Sequence, residues 1–357
     1  MGGCLFFGSL ATAADRLDRD NLLQYRSAPD QVAPVRTIGD WQQRRAEIVA
    51  SMQTIMGQLP GAAKRVPLDV AVTSQTDCGT YVRREITYWA EPGARVPAFL
   101  LIPKAVVEKR SQAPGILALM PTNNVDGNRS VVGLGSPSGP AGRNYGEELV
   151  QRGYVVIAPP YPHLGGYAPD LKGLGYESGT MKAIWDNIRA LDVLEATEGV
   201  RPGGFGVIGH SLGGHNSIYT AVFDQRIKAI VSSCGFDSYL DYYREKPQMW
   251  NAGMGWTQER YMPALAQFAG RLQEIPFDFH EFVGALAPRP FLAISPRGDA
   301  NFKWESVDRI IAAARPVYQL YGVSERLAVE HPDGPHDFPK EMRERAYGFL
   351  AQALGGK

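Results

Sequence analysis

The chain has 357 residues, 44% of them hydrophobic, which is enough for one large α/β domain. Its 37 Lys and Arg residues balance its 37 Asp and Glu residues, so no net field favours nucleic acid or an anionic membrane surface. We therefore expect neither a nucleic-acid-binding protein nor a membrane protein.

The first 14 residues resemble a truncated signal peptide. An apolar run at 4–10 precedes an A-T-A tripeptide that fits an A-x-A cleavage site, although a basic n-region is missing. The run is too short to span a bilayer. We expect a secreted or periplasmic protein, with a cytoplasmic location as the alternative. Loss of this leader leaves two cysteines, Cys78 and Cys234, whose disulfide status stays open. The sequence has no cluster of Cys and His residues that would predict a metal site.

A helical N-terminal extension is predicted over residues 15–65. Trp41, Ile48 and Met52 recur there at helical spacing after a candidate N-cap at Asp40. From residue 66 the period changes to that of strands, predicted at 69–73, 81–89 and 96–102.

Strands and helices alternate from residue 115 onward. The strands are predicted at 115–120, 154–158, 205–208, 227–233, 290–295 and 327–330, and the helices at 145–152, 180–197, 214–223, 305–321 and 340–354. Such alternation predicts a mostly parallel sheet with helices on both faces, within one α/β domain over 66–357. An aromatic-rich segment at about 235–288 interrupts the pattern, and we predict it to be a cap inserted after the sixth strand of the sheet.

The sequence Gly209-His210-Ser211-Leu212-Gly213 lies between a predicted strand and a predicted helix. It fits G-x-S-x-G, the nucleophile elbow, in which a sharp turn holds a serine in a strained backbone above the sheet edge. The flanking glycines are needed because side chains there would collide with the neighbouring strand or helix. An ordinary strand-to-helix turn is the alternative, but the further Gly214 favours a nucleophilic Ser211.

A serine hydroxyl needs a base, and the base needs an orienting acid; with this elbow the chain order is Ser, then Asp or Glu, then His. Of the six histidines, His336 lies in the turn-rich loop between the last strand and the last helix. It is the predicted base, with His331 as the alternative. Asp299 follows the strand at 290–295 and is the predicted acid, with Asp237 as its rival.

The oxyanion hole needs two backbone N–H groups, one of them from the residue after the nucleophile, Leu212. Thr122 is the predicted second donor, with Asn123 as the alternative, because Pro121 has no N–H. Six further residues are predicted to contact substrate: Asn123, Tyr161, His210, Phe236, Trp256 and Phe302. For each aromatic side chain, packing within the cap is the competing interpretation.

These features together resemble the α/β-hydrolase fold, and within it the bacterial esterases related to acetyl xylan esterases, dienelactone hydrolases and prolyl-oligopeptidase catalytic domains. The resemblance covers about 81–354 and includes V-P-A-F-L-L-I-P-K at 96–104 and H-D-F at 336–338. It implies a metal-independent serine hydrolase without a cofactor. Met120-Pro121 departs from the His-Gly that is usual in the oxyanion loop. The stretch before the first strand is too short for the β-propeller of the peptidases, which counts against oligopeptidase activity.

We therefore expect a carboxylic ester hydrolase that works through an acyl-enzyme. Balanced charge and the aromatic segment predict a neutral ester, either linked to carbohydrate or of an aryl alcohol. A serine peptidase or amidase is the alternative, because amides and esters share the tetrahedral intermediate. A binding protein without activity is a third hypothesis, disfavoured by the intact triad. The natural acyl and alcohol groups and the oligomeric state stay open.

Overall fold

The computed structural model describes residues 16–355, so the predicted leader lies outside the described residues. The N-terminal extension is a hairpin, β1 (Gln24–Ala28) and β2 (Gln31–Pro34), followed by helix α1 (Ile38–Met56). The prediction of a purely helical extension missed this hairpin, although Pro29 and Asp30 supply its turn. The N-cap of α1 is Thr37 rather than Asp40. Asp40 is the third helical residue, and its side chain completes a capping box with Thr37.

The body of the molecule is a sheet of nine strands in the order β11-β10-β9-β8-β6-β7-β5-β4-β3. These strands are β3 (Ala71–Asp77), β4 (Tyr81–Glu91), β5 (Ala94–Pro103), β6 (Ala113–Leu119), β7 (Val155–Ala158), β8 (Val200–His210), β9 (Ile227–Ser233), β10 (Phe291–Ile294) and β11 (Leu327–Glu330). All pairs from β11 to β7 are parallel, and β7-β5, β5-β4 and β4-β3 are antiparallel. The predicted mostly parallel sheet is confirmed.

Helices cover both faces of this sheet. They are α2 (Lys104–Val107), α3 (Tyr145–Gln151), α4 (Gly179–Ala196), α5 (Leu212–Phe223), α6 (Tyr242–Glu245), α7 (Phe279–Leu286), α8 (Trp304–Leu320) and α9 (Lys340–Leu354). Successive strand residues point to opposite faces, so Val207 joins one hydrophobic cluster and Ile208 the other. Over residues 16–355, no helix is both long enough and apolar enough to span a membrane.

The insertion, residues 235–288, follows β9, which is the seventh strand of the large sheet along the chain rather than the sixth. Phe236, Trp250 and Phe268 are buried in the larger hydrophobic cluster. Only residues 242–261 of the insertion border the main cavity. Most of the predicted cap is therefore packed into the domain.

Two buried carboxylates in the insertion anchor the start of the described chain. Asp278 accepts hydrogen bonds from Arg19 and from the Ser238 hydroxyl, both at 2.6 Å. Glu281 accepts one from Arg16 at 2.8 Å. Both carboxylates are fully or almost fully buried, so each needs a partner of opposite charge.

A second buried ionic cluster joins α4 to β4. The Lys182 ammonium lies 3.1 Å from Glu91 and also contacts Asp186, and none of the three side chains is more than 1% exposed. The Tyr167 hydroxyl donates to Asp186 at 2.8 Å and the Tyr176 hydroxyl to Glu91 at 2.7 Å. The cluster holds α4 against the sheet.

Candidate active site

Ser211 lies at the sharp turn between β8 and α5, with φ 54° and ψ −119°. A positive φ is strained for a residue with a side chain and is kept only where the surroundings enforce it. The two flanking glycines enforce it here. A Cβ on Gly209 would lie 2.2 Å from the backbone of Gly213, and a Cβ on Gly213 would lie 2.0 Å from the Leu119 carbonyl oxygen. This geometry is that of a nucleophile elbow.

His336 and Asp299 come from the loops after β11 and β10 and are hydrogen-bonded to each other. His336 Nδ1 lies 2.8 Å from Asp299 Oδ2. Asp299 Oδ1 accepts the backbone N–H groups of Asn301 at 2.8 Å and Phe302 at 3.2 Å. The Asp299 side chain is fully buried and that of His336 is 22% exposed. The carboxylate therefore fixes the ring and leaves Nε2 for the cavity.

Ser211 and His336 line the same cavity, which has a volume of about 1360 Å³. No hydrogen bond joins their side chains within residues 16–355, as is common before substrate binds. One wall is the front loop, residues 121–144, and the opposite wall is residues 242–261 of the insertion. The volume exceeds that of most pockets for drug-sized ligands, so a substrate larger than a simple acetyl ester fits.

The cavity walls combine polar and apolar side chains, and they hold charges of both signs. Its two arginines are Arg143 in the front loop and Arg260 in the insertion. Arg260 Nη1 donates to Asn124 at 3.0 Å across the cavity mouth. The two acidic residues, Asp126 and Glu147, already accept hydrogen bonds within the walls. The free polar groups therefore suit a neutral, hydroxyl-rich ligand.

Two further histidines flank the serine, and both are buried. His210 stacks on Phe338, lies 5.0 Å from the His336 ring and is 3.1 Å from the Ser233 hydroxyl through Nδ1. Burial, with repulsion from Arg143 and His336, holds the pKa of His210 well below 6.5. It is a neutral support for the His336 ring.

His215 lines the cavity one helical turn after Ser211. Its Nδ1 lies 3.3 Å from the Gly235 carbonyl oxygen, so Nδ1 carries the hydrogen of the neutral ring. Burial lowers the pKa of His215 to about 3. Nε2 is then a buried lone pair without a partner in the described residues. His215 is not among the residues predicted from the sequence to contact substrate, although its helical spacing from Ser211 indicates this cavity position.

Four of the six residues predicted to contact substrate line the cavity: Asn123, His210, Trp256 and Phe302. Two do not. The Tyr161 hydroxyl donates to the Arg260 carbonyl oxygen at 2.7 Å, and the ring is buried beneath the cavity wall. Phe236 stacks on Phe279 at 5.1 Å in the core. Both aromatics pack, as the competing interpretation had it.

The rival acid and base have other partners. Asp237 is buried, accepts the Lys303 N–H at 3.0 Å and makes no contact with a histidine among the described hydrogen bonds. Burial raises the pKa of Asp237 well above 3.8. His331 is held between the Ser295 carbonyl oxygen at 2.8 Å and Asp308 at 2.9 Å.

The two predicted oxyanion donors, Leu212 and Thr122, line the same cavity as Ser211. Leu212 begins α5, where an N–H has no partner one turn earlier. Thr122 lines the same cavity, and its hydroxyl lies 3.1 Å from the Tyr261 hydroxyl. This contact ties the front loop to the insertion directly above the serine.

One cluster has the composition of a metal site. Ligand atoms of Cys234, Asp299 and His336 lie within 4.8 Å of one another. In this structure the Asp299 and His336 side chains are bonded to each other, and Cys234 Sγ lies 3.3 Å from the Asp337 carbonyl oxygen. Cys78 and Cys234 are both free thiols. The absence of a metal in the reaction stays a prediction.

The fold and this site define a serine esterase of the α/β-hydrolase class. The strand order, the elbow and the histidine–carboxylate pair at the carboxyl edge of the sheet are the features of that class. The chain is a carboxylic ester hydrolase.

Comparison with known proteins agrees with this class. The family model for fungal glucuronyl esterases matches residues 170–322. The chain is 27% identical over 220 residues to YtaP of Bacillus subtilis, named as a hydrolase, a match that covers 59% of this chain and 69% of YtaP. It is 23% identical over 339 residues to a 4-O-methyl-glucuronoyl methylesterase of Schizophyllum commune, covering 91% and 80% of the two chains.

Among solved structures, a glucuronoyl esterase from Solibacter usitatus superposes with a TM-score of 0.74 at 21% identity. The match covers 94% of this chain and 98% of that one. At this identity the superposition shows a shared fold.

Proposed function

We propose that the protein hydrolyses a carboxylic ester carried by a carbohydrate, with an ester of a glucuronic acid unit as the first candidate. The observation that carries the proposal is the His336–Asp299 pair at the edge of the cavity that Ser211 also lines. The volume of about 1360 Å³ and the mixture of polar and aromatic side chains in the walls support a sugar-bearing substrate. The substrates in the names of the similar proteins support the uronic acid.

In the proposed mechanism Ser211 attacks the ester carbonyl while His336, oriented by Asp299, takes the serine proton. The N–H groups of Leu212 and Thr122 stabilise the oxyanion, and His336 then protonates the leaving alcohol. Water activated by the same histidine releases the acid and restores the enzyme. No step needs a cofactor.

The proposed substrate contacts are Asn123, His215, Trp256 and Phe302. His215 Nε2 can accept a hydrogen bond from a sugar hydroxyl, because its ring is neutral with the hydrogen on Nδ1. The Trp256 ring centroid lies 4.5 Å from that of His215, and both residues line the cavity, so the sugar can contact the two rings together. Export of the enzyme, which the apolar N-terminus favours, suits a polymeric substrate.

Parallel assays test this proposal. Benzyl glucuronate, p-nitrophenyl acetate, acetylated xylan and an aminoacyl p-nitroanilide are compared with the wild type and with Ser211→Ala. We expect the highest kcat/KM on the glucuronate ester, a loss of roughly 10³-fold or more in Ser211→Ala, and labelling of only the wild type by a fluorophosphonate probe. Faster turnover of acetylated xylan would change the substrate, and faster turnover of the anilide would favour the amidase alternative.

A further inference from the structure

The loop that carries His336 is tied to the opposite cavity wall by one ion pair. Arg143 Nη1, in the front loop, lies 2.7 Å from Oδ1 of Asp337, the residue next to His336. Arg143 is 10% exposed and Asp337 46% exposed in their side chains. The same arginine nitrogen donates to the Ala141 carbonyl oxygen at 3.2 Å, which fixes the guanidinium to its own loop.

Neighbouring contacts make this tether rigid. Arg343 on α9 donates to the Phe338 carbonyl oxygen at 2.8 Å and pairs with Glu148 on α3. A Cβ on Gly142 would lie 2.3 Å from Arg343 Nη1, so the front loop is packed directly on this arginine. Three consecutive residues of the base loop, residues 331–339, therefore make anchoring contacts. They are His336, Asp337 and Phe338.

We propose that Arg143 is a positioning residue that sets the protonation range of His336 through its pairing with Asp337. This inference rests on the proposed function, in which His336 is the base. The two charges cancel while paired, so the imidazole experiences neither a free carboxylate nor a free guanidinium. Breaking the pair from either side exposes His336 to the remaining charge.

The titratable and charged groups around His336 in the described residues are Asp299, His210, Cys234, Asp337 and Arg143. His210 is neutral and Cys234 is a buried thiol whose pKa is raised by burial and by Asp299. Arg143 is also close enough to lower the pKa of His210, whose ring lies 5.0 Å from that of His336. An unpaired Arg143 would therefore lie close enough to act on the base.

The test is the pH dependence of kcat/KM in Arg143→Met, Asp337→Asn and the double variant. Arg143→Met leaves the Asp337 carboxylate unpaired. This negative charge favours the protonated imidazole, so the acid limb of the kcat/KM profile moves to higher pH. Asp337→Asn leaves a cation that disfavours it, so the acid limb moves to lower pH. Each shift should be about 0.3–1 pH unit at low ionic strength and shrink in 1 M salt. The double variant should return to within about 0.2 unit of wild type.

Two further variants separate charge from packing. Arg143→Lys keeps the charge and should keep the acid limb, even if kcat falls through a looser loop. Arg345→Met, on α9, breaks an exposed 2.9 Å pair with Glu330 of β11 and should leave both the acid limb and kcat unchanged. If Arg143→Met does not fold, Asp337→Asn still tests the inference, because its acid limb should move to lower pH while that of Arg143→Lys stays in place.

The inference would be overturned if the acid limb moved in the same direction in Arg143→Met and Asp337→Asn, or if it moved in neither variant. Retained activity of Ser211→Ala would instead overturn the proposed function, so the two failures are distinguishable.

Discussion

Asp299 holds His336 through one carboxylate oxygen and two backbone N–H groups through the other. The 2.8 Å contact to His336 Nδ1 and the contacts from Asn301 and Phe302 leave the carboxylate a single orientation. Asp237, which follows the neighbouring strand β9, is buried, and burial raises the pKa of its carboxyl well above 3.8. The two aspartates are thus a matched pair of buried acids that differ in whether they contact the imidazole.

We predict that Asp299→Asn lowers kcat on the order of 10⁴-fold, because an amide neither stabilises the imidazolium nor selects the correct tautomer. Asp237→Asn should change kcat less than about threefold, since Asp237 contacts no histidine among the described hydrogen bonds and an amide oxygen can still accept the Lys303 N–H. Steady-state kinetics on one ester substrate measure both. Equal losses in the two variants would contradict the assignment of the acid.

The elbow should tolerate no side chain at Gly213. A Cβ there would lie 2.0 Å from the Leu119 carbonyl oxygen, so Gly213→Ala must displace β6 or the serine. We expect loss of activity and a lower melting temperature. Gly348 in α9 is the control, because a Cβ there meets no atom within 4 Å. Gly348→Ala should stabilise the fold by about 0.5–1 kcal/mol, measured by urea unfolding, and leave kcat unchanged.

Acid should destabilise the protein partly through His215. Its pKa of about 3 in the fold lies below the unfolded value near 6.5, so between these values the unfolded chain binds a proton that the fold does not. The free energy of unfolding therefore falls as pH falls through this window, by about 1.4 kcal/mol per pH unit for this residue.

The measurement is urea unfolding at pH 7, 6, 5 and 4. His215→Gln should show a shallower fall than wild type between pH 6 and 4, and the same slope above pH 7. An unchanged slope would mean that the imidazole is solvated or charged in the fold.

Removal of the Lys182 charge should cost far more stability than removal of a surface lysine. Lys182→Met leaves the buried Asp186 carboxylate without its cation, which costs about 3–5 kcal/mol. Lys109→Met breaks an exposed pair with Glu198 and should cost less than about 1 kcal/mol. Chemical denaturation of both variants gives the comparison. Similar costs would show that the α4 cluster is hydrated.

Local pattern and chain order were sufficient to predict the sheet and the placement of Ser211, His336 and Asp299 on the loops at its carboxyl edge, while their catalytic roles stay a prediction. Alternating strands and helices have strong periodicity, and the elbow has a steric signature in its glycines. The cavity walls have neither. Arg143 and Arg260 lie on loops whose course depends on packing with residues distant in the chain. No local sequence pattern therefore predicts that they line the same cavity as the serine.

The aromatic residues also show that sequence alone does not predict which side chains line the cavity. Trp256 lines the cavity, while Phe236 and Tyr161 are packed beneath it. Each of the three directly follows a glycine or a proline, and hydrophobicity does not separate a ring that contacts ligand from one that contacts other rings. The hairpin at 24–34 was missed because α1 dominates the periodicity of the extension.

The ion pairs of Arg16 and Arg19 with the insertion set a limit on how far the chain can be shortened at its N-terminus. A form that begins after residue 13, where the A-T-A tripeptide ends, keeps both arginines. A truncated form that begins after Arg19 loses them and leaves Asp278 and Glu281 with fewer counter-charges inside the fold. Such a shortened protein should give poor yields of soluble enzyme even though every residue of the active-site cavity is present.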